Sequence, residues 1–275
     1  MAADLFYHYT DFEALDGILR CAQLRVNNVL RMNDSAEMRH FMVRLSRAIV
    51  ERLEAGGETR RAREVRALFQ EELAEEYSAY AACFSFRRDD AAQWERYGNR
   101  GRGVCIAFRG DLLRRMAEGP LSLHTVFYED DMTGHPMVDR FCRLIRDREA
   151  LTGGERDIRL AMRDAWACSV AFKHPSFSSE DEVRLVVAPF GQEEFDVQPR
   201  YHVTKERVKK YYPLDLRDMC GRASAALEEL VAEIIIGPES TQSLAILRDY
   251  LRDNGLAPLA ENVSLSDCPL RGMPV

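Results

Sequence analysis

The chain has 275 residues, 46% of them hydrophobic and 30% charged, which is enough apolar material for a sizeable core in one large domain or two small ones. A formal net charge of −7 argues against a general DNA coat, although it leaves room for local basic stripes at Arg87-Arg88 through Arg102 and at Arg200 through Lys210. No apolar run approaches the roughly 18 residues that a membrane span needs, so no membrane partner is expected.

Leu5 to Tyr9 alternates as a short strand, and Thr10-Asp11 can cap a helix from Phe12 to Cys21. Leu24 to Val29 reads as a second strand, followed by Asn33-Asp34-Ser35 as a turn and helix cap. Met38, Phe41, Met42, Leu45, Ile49 and Leu53 then recur at helical spacing. Gly56-Gly57 breaks that helix and a charged one follows to about Tyr77, predicting a helical hairpin over about 36–77 on one sheet face. Ala81 to Phe86 is a strand, Ala91 to Tyr97 a short helix, and Val104 to Phe108 a strand buried on both faces. A helix from Asp111, a strand near His124 to Tyr128 and two helices between Met137 and Phe172 come next. Strands follow at Glu182 to Ala188, Arg200 to Val203, Lys210 to Leu216 and Glu233 to Ile236. A helix from Gln242 to Asp253 and a short strand near Val263 close the order. Without strict βαβ alternation the class is α+β, and no linker divides the chain, so a single domain over 1–275 is expected.

Met1–Thr10 has no basic region followed by an apolar stretch and cleavage site, so the protein is expected to stay in the cytoplasm. The seven cysteines are scattered, form no C-x-x-C pair and sit mostly in apolar contexts, as buried reduced thiols do. There is no G-x-x-x-x-G-K-[ST] loop, no G-x-S-x-G elbow and no H-E-x-x-H or Cys/His cluster of zinc spacing, and no metal is expected.

Four segments can carry chemistry. In Tyr7-His8-Tyr9-Thr10 the imidazole faces opposite to the two tyrosines; it is either a satisfied strand-end histidine or a group at the mouth of a cleft. Ser85 lies between two aromatics near a strand's carboxyl end, and Trp94 and Tyr97 project to one side of the following helix, as core residues or as a platform for a flat ring. In Glu180-Asp181-Glu182-Val183-Arg184, strand spacing would put Glu180, Glu182 and Arg184 on one side, successive pairs roughly 6.7 Å apart. Two carboxylates beside a guanidinium suit the stabilisation of positive charge developing on a sugar ring, or form only a surface ion-pair ladder. In Arg31-Met32-Asn33-Asp34-Ser35-Ala36-Glu37, Asp34 or Ser35 caps the helix, and Arg31 or Asn33 could touch a ligand phosphate.

Taken in order, these segments resemble a bacterial family known as domain of unknown function 2971. The resemblance runs from Leu5-Phe6-Tyr7-His8-Tyr9-Thr10 through Met32-Asn33-Asp34 with Glu37, Cys83-Phe84-Ser85 with Gln93-Trp94 and Tyr97, Gly103 to Phe108, Glu180 to Arg184 and Ile235-Ile236-Gly237-Pro238 to Ser266 through Arg271. More distantly, Tyr-His-x-Thr on a first strand with a late Glu-x-Glu is similar to ADP-ribosyltransferases. That likeness implies a mixed or antiparallel split sheet clasping NAD as substrate. It would place His8 on the nicotinamide-side ribose or amide, Trp94 or Tyr97 beside the nicotinamide, and Tyr9, Thr10, Arg31, Asn33, Ser85 and Arg184 around the ligand. Glu182 would stabilise the oxocarbenium ion and Glu180 orient an acceptor, nucleic acid or protein. The implied function is an NAD-dependent ADP-ribosyltransferase, as a toxin or phage-defence effector. The alternatives are a non-catalytic nucleotide- or partner-binding module, and a magnesium-dependent nuclease or hydrolase using Asp34, Glu37, Glu180 and Glu182.

Overall fold

The computed structural model describes residues 4–29, 37–74, 79–118, 121–129, 131–147, 154–187, 197–203 and 207–270. Alternating or wholly apolar segments become β1 (Leu5–Thr10), β2 (Gln23–Asn28), β3 (Tyr80–Ser85), β4 (Val104–Arg109), β5 (Leu121–Thr125), β6 (Glu182–Val187), β7 (Arg200–Val203), β8 (Val208–Asp215), β9 (Val231–Ile236) and β10 (Val263–Leu265). They form one mixed, ten-stranded sheet of order β10-β9-β4-β1-β3-β2-β8-β7, with β6 pairing to β3 and β5 to β6. Only β9 and β10 pair in parallel; the other ladders are antiparallel.

The sheet forks at β3. One edge of β3 pairs with β6 along its whole length, from Tyr80–Val187 to Ser85–Glu182. The opposite edge is shared: β1 meets it at Tyr7–Ser85, and β2 meets it at Asn27–Ala81 and Asn28–Tyr80. Away from those points β1 follows β4 and β2 follows β8. Among the described residues no strand therefore pairs with Ala82–Phe84 on that edge, and the backbone polar groups that face it need other partners.

Helices cover both faces. The helical repeat after residue 37 becomes α2 (Glu37–Ala55), and α3 (Thr59–Glu72) folds back on it; α6 (Pro136–Asp147) and α7 (Gly154–Ser169) complete this layer. Met38, Phe41, Met42, Leu45, Ile49 and Leu53 are all fully buried there, each contributing roughly 1.5–3 kcal/mol of apolar burial. The opposite face buries Leu24, Val26, Phe84, Val183, Leu185 and Ile234 under α1 (Phe12–Leu19), α5 (Gly110–Met116), α8 (Leu216–Arg222), α9 (Leu227–Leu230), α10 (Leu244–Asp253) and α11 (Ala257–Ala260). Asp11 alone caps α1, accepting from the Ala14 amide at 2.8 Å, in place of a shared Thr10-Asp11 cap. Gly103 is required by contact: a Cβ there would lie 2.0 Å from the Thr10 carbonyl oxygen. Among the described residues no helix is long and apolar enough to cross a membrane.

Candidate functional site

A cavity of about 850 Å³ opens in the fork. It is lined by Tyr7, His8 and Tyr9 from β1, by Arg25, Asn27 and Asn28 from β2, by all of β3, and by Glu182 and Arg184 from β6. The imidazole from the start of the chain and the carboxylates from its later third thus share one cavity. His8 is there because β1 has left β3: its Nδ1 lies 2.8 Å from the Cys83 carbonyl oxygen, which no strand satisfies on that side. A carbonyl only accepts, so Nδ1 carries the proton and Nε2 presents a lone pair. Burial lowers the His8 pKa below the ordinary histidine value, against the opposing effect of the Cys83 bond, so the ring is neutral at pH 7.

The acidic end is built differently from the sequence expectation. Glu180 does not lie on a strand with Glu182 and Arg184. It ends a 3-10 turn, Pro175–Glu180, capped by the His174 side chain and closed by Asp181 in the left-handed region (φ 47°). The turn still delivers both carboxylates to one place, where Lys173 Nζ contacts each. The Ser85 hydroxyl donates to the Glu180 carbonyl at 2.6 Å, and Gln93 Nε2 donates to the same oxygen at 3.1 Å. The Glu180 carboxylate accepts from Arg96 Nη1 and the Tyr97 hydroxyl, each at 2.9 Å, and from Lys173 Nζ at 2.5 Å.

Glu182 and Arg184 do share a strand face, and they pair directly. Arg184 Nε and Nη2 each donate to the Glu182 carboxylate at 3.0 Å, while Lys173 Nζ reaches it at 3.3 Å. Burial alone would raise the Glu182 pKa; the Arg184 guanidinium and then Lys173 overcome that and hold it at about 2. Lys173, Glu180, Glu182 and Arg184 are each at most 6% exposed, so the surface-ladder alternative does not apply. Lys173 and Arg96 were absent from the sequence reading, because neither stands at strand spacing from the glutamates. Arg96 reaches Glu180 from the end of a short helix, and Lys173 reaches both glutamates from the turn before Pro175.

Other expected residues separate. Tyr97 lines the cavity, whereas Trp94 does not: it is fully buried, edge-on to Tyr9, with its indole N–H donating to Asp89 at 2.7 Å. Their separation follows from α4 (Ala91–Arg96) ending between them, which turns Tyr97 toward Glu180. Tyr9 lines the cavity but spends its hydroxyl within the protein, donating to the Arg87 carbonyl and accepting from the Asp90 amide. Ser85 lines it as an anchor for Glu180, and Thr10 ends β1 opposite Val104 without lining it. Arg31, Asn33 and Asp34 lie outside the described residues. Among the described residues no group of three or more His, Cys, Asp or Glu side chains is placed to hold a metal ion.

Arg25 from β2, and Arg207, Lys209 and Lys210 at and just before the start of β8, give the cavity a basic wall. Counting Arg96, Lys173 and Arg184, seven cationic side chains line the cavity against two carboxylates, in a chain whose net charge is −7. Such a concave, cation-rich surface favours anionic groups, and its volume lies in the range of small-molecule and cofactor sites.

No curated protein and no solved structure matches the chain. A family model does match a central segment, and that segment includes Arg96, Tyr97, Lys173, Glu180, Glu182 and Arg184 but neither His8 nor the basic wall. Over residues 93–185 the chain is similar to the family described as protein of unknown function (DUF2971).

Proposed function

We propose that the forked cavity binds NAD and that the protein cleaves its nicotinamide–ribose bond in the manner of an ADP-ribosyltransferase. The observation that carries this reading is the joint presence of a neutral His8 and an ionised Glu182 in one cavity with a basic wall. The wall suits the pyrophosphate. His8 Nε2, held as an acceptor, suits a ribose hydroxyl or the carboxamide N–H. Glu182 remains ionised in a desolvated setting, where a fixed negative charge most strongly favours positive charge developing on a ribose ring. The glycosidic electron pair leaves on the nicotinamide nitrogen, the acceptor's nucleophile bonds to the freed carbon, and the acceptor loses a proton.

Nicotinamide release from NAD, followed by chromatography with and without protein and nucleic-acid acceptors, tests this. Glu182→Gln keeps the shape and removes the charge, so a loss of about a hundredfold or more is expected. Equal traces for wild type and variant, or no release from either, would count against the reading.

A second reading has its own support: both carboxylates are already ion-paired, as in a site that binds a nucleotide without turning it over. It predicts NAD binding by calorimetry with no nicotinamide release.

A further inference from the structure

The basic wall does not stop at the cavity. It continues along β8 to β7, the last strand of the sheet order, where Arg200, Tyr201, Val203, Arg207, Val208, Lys209 and Lys210 are all exposed. Over β2, β7, Arg207 and β8 as far as Leu214 there are five Arg or Lys side chains and no Asp or Glu. The pairing register shows how they are arranged. His202 lies opposite Lys209, and Arg200 opposite Tyr211, on the face where Arg25 meets His202 at 2.8 Å. Tyr201 lies opposite Lys210 on the other face, beside the Val203–Val208 pair.

We infer that this three-stranded leaf is a docking surface for a single-stranded nucleic acid, whose phosphates follow the cations toward the cavity. Cations alone would fit any polyanion; the exposed apolar groups, which share the face of Lys210 and border the sheet edge that Arg200 and Lys209 line from the other face, select the strand. Tyr201 is 63% exposed and Val203 73%, both on the edge strand β7, and Val208 at the start of β8 is 62% exposed. Unpaired bases stack on exposed aromatics and cover neighbouring apolar surface, whereas a duplex presents mainly phosphate and keeps its bases stacked on each other. The cavity beyond is sized for one nucleotide-like ligand rather than for a duplex.

The test is fluorescence anisotropy with a labelled oligothymidylate of about 20 nucleotides, in the absence of NAD, between about 50 and 200 mM salt. The wild type should bind, with affinity falling steeply as salt rises. Arg200→Glu should weaken binding about tenfold and flatten the salt dependence; Tyr201→Ala should weaken it about tenfold with the slope unchanged. Neither residue lines the cavity, so calorimetric NAD binding should be the same in both variants and wild type. No binding at the lowest salt, binding indifferent to both substitutions, or equal binding to duplex DNA or to phosphatidylserine vesicles would each overturn the inference. Because the assay contains no NAD, its failure leaves the proposed NAD reading standing, and failure of that reading leaves this one intact.

Discussion

At the acidic end of the cavity, Lys173, Glu180, Glu182 and Arg184 are buried and paired with one another, and Arg96 and Tyr97 close the cluster. Along the basic wall, Lys209 and Lys210 are exposed, and the strands that carry the wall hold no acidic side chain before Asp215. Buried charge is tolerated only where counter-charges and hydrogen bonds surround it, so the acidic end is part of the folded framework. On the wall, Lys210 lies over the Tyr80 and Tyr212 rings and Arg25 meets His202, contacts that leave the cationic groups in reach of a charge from outside. Substitutions at the acidic end should therefore move stability and turnover, and substitutions on the wall should move affinity and salt dependence.

The largest effect expected from a single change is the hundredfold or greater loss of nicotinamide release in Glu182→Gln. Next, Lys173→Met would remove the cation that the two buried carboxylates share, leaving each with its arginine, and should cost about 3 kcal/mol in a urea melt. Adding Glu180→Gln to Lys173→Met should restore part of that loss; an unaltered melt in the single variant would show that the cluster is not structural. Acid should act on the same cluster. Glu182 is held near pKa 2 in the folded chain, below its ordinary value of 4.5. The stability it contributes is therefore fully present above about pH 4.5 and is lost as pH falls toward 2, of order 3 kcal/mol in all. Melts between pH 7 and pH 3 should show this decline, and Glu182→Gln should flatten it.

On the wall, replacing Lys209 and Lys210 together by Ala should weaken NAD binding about tenfold in calorimetry at low salt and much less at high salt, with an unchanged melt. A melt that falls with the affinity would erase the distinction between the two ends. The smallest effect belongs to Tyr97→Phe, which removes one hydrogen bond to Glu180 and should cost about 1 kcal/mol of stability.

Much of the element order was readable from periodicity alone. The repeat from Met38 to Leu53 fixes α2, and the apolar run Val104 to Phe108 fixes β4, because burying such faces dominates local preference. The turn before β6 was not readable. Glu180 has strand spacing from Glu182, yet Asp181 adopts a left-handed conformation that breaks the alternation, and Ser85 and Gln93 hold the resulting bend from other elements. Lys173 and Arg96 were missed for a related reason: a counter-ion is recruited by proximity in space, and nothing in sequence spacing marks it. Spacing left Trp94 and Tyr97 open as core or platform, because a tryptophan on a short helix looks the same whether its ring faces a ligand or, as here, Tyr9 and Asp89. The fork itself left one trace in the sequence, the histidine in a strand of aromatics, which serves a carbonyl that regular pairing would have satisfied.

The account is tested most directly at His8. With the imidazole nitrogens labelled, NAD added at pH 7 should shift the Nε2 resonance in a saturable way while Nδ1 stays protonated against the Cys83 carbonyl. Nitrogen signals that remain unmoved at millimolar NAD would contradict it.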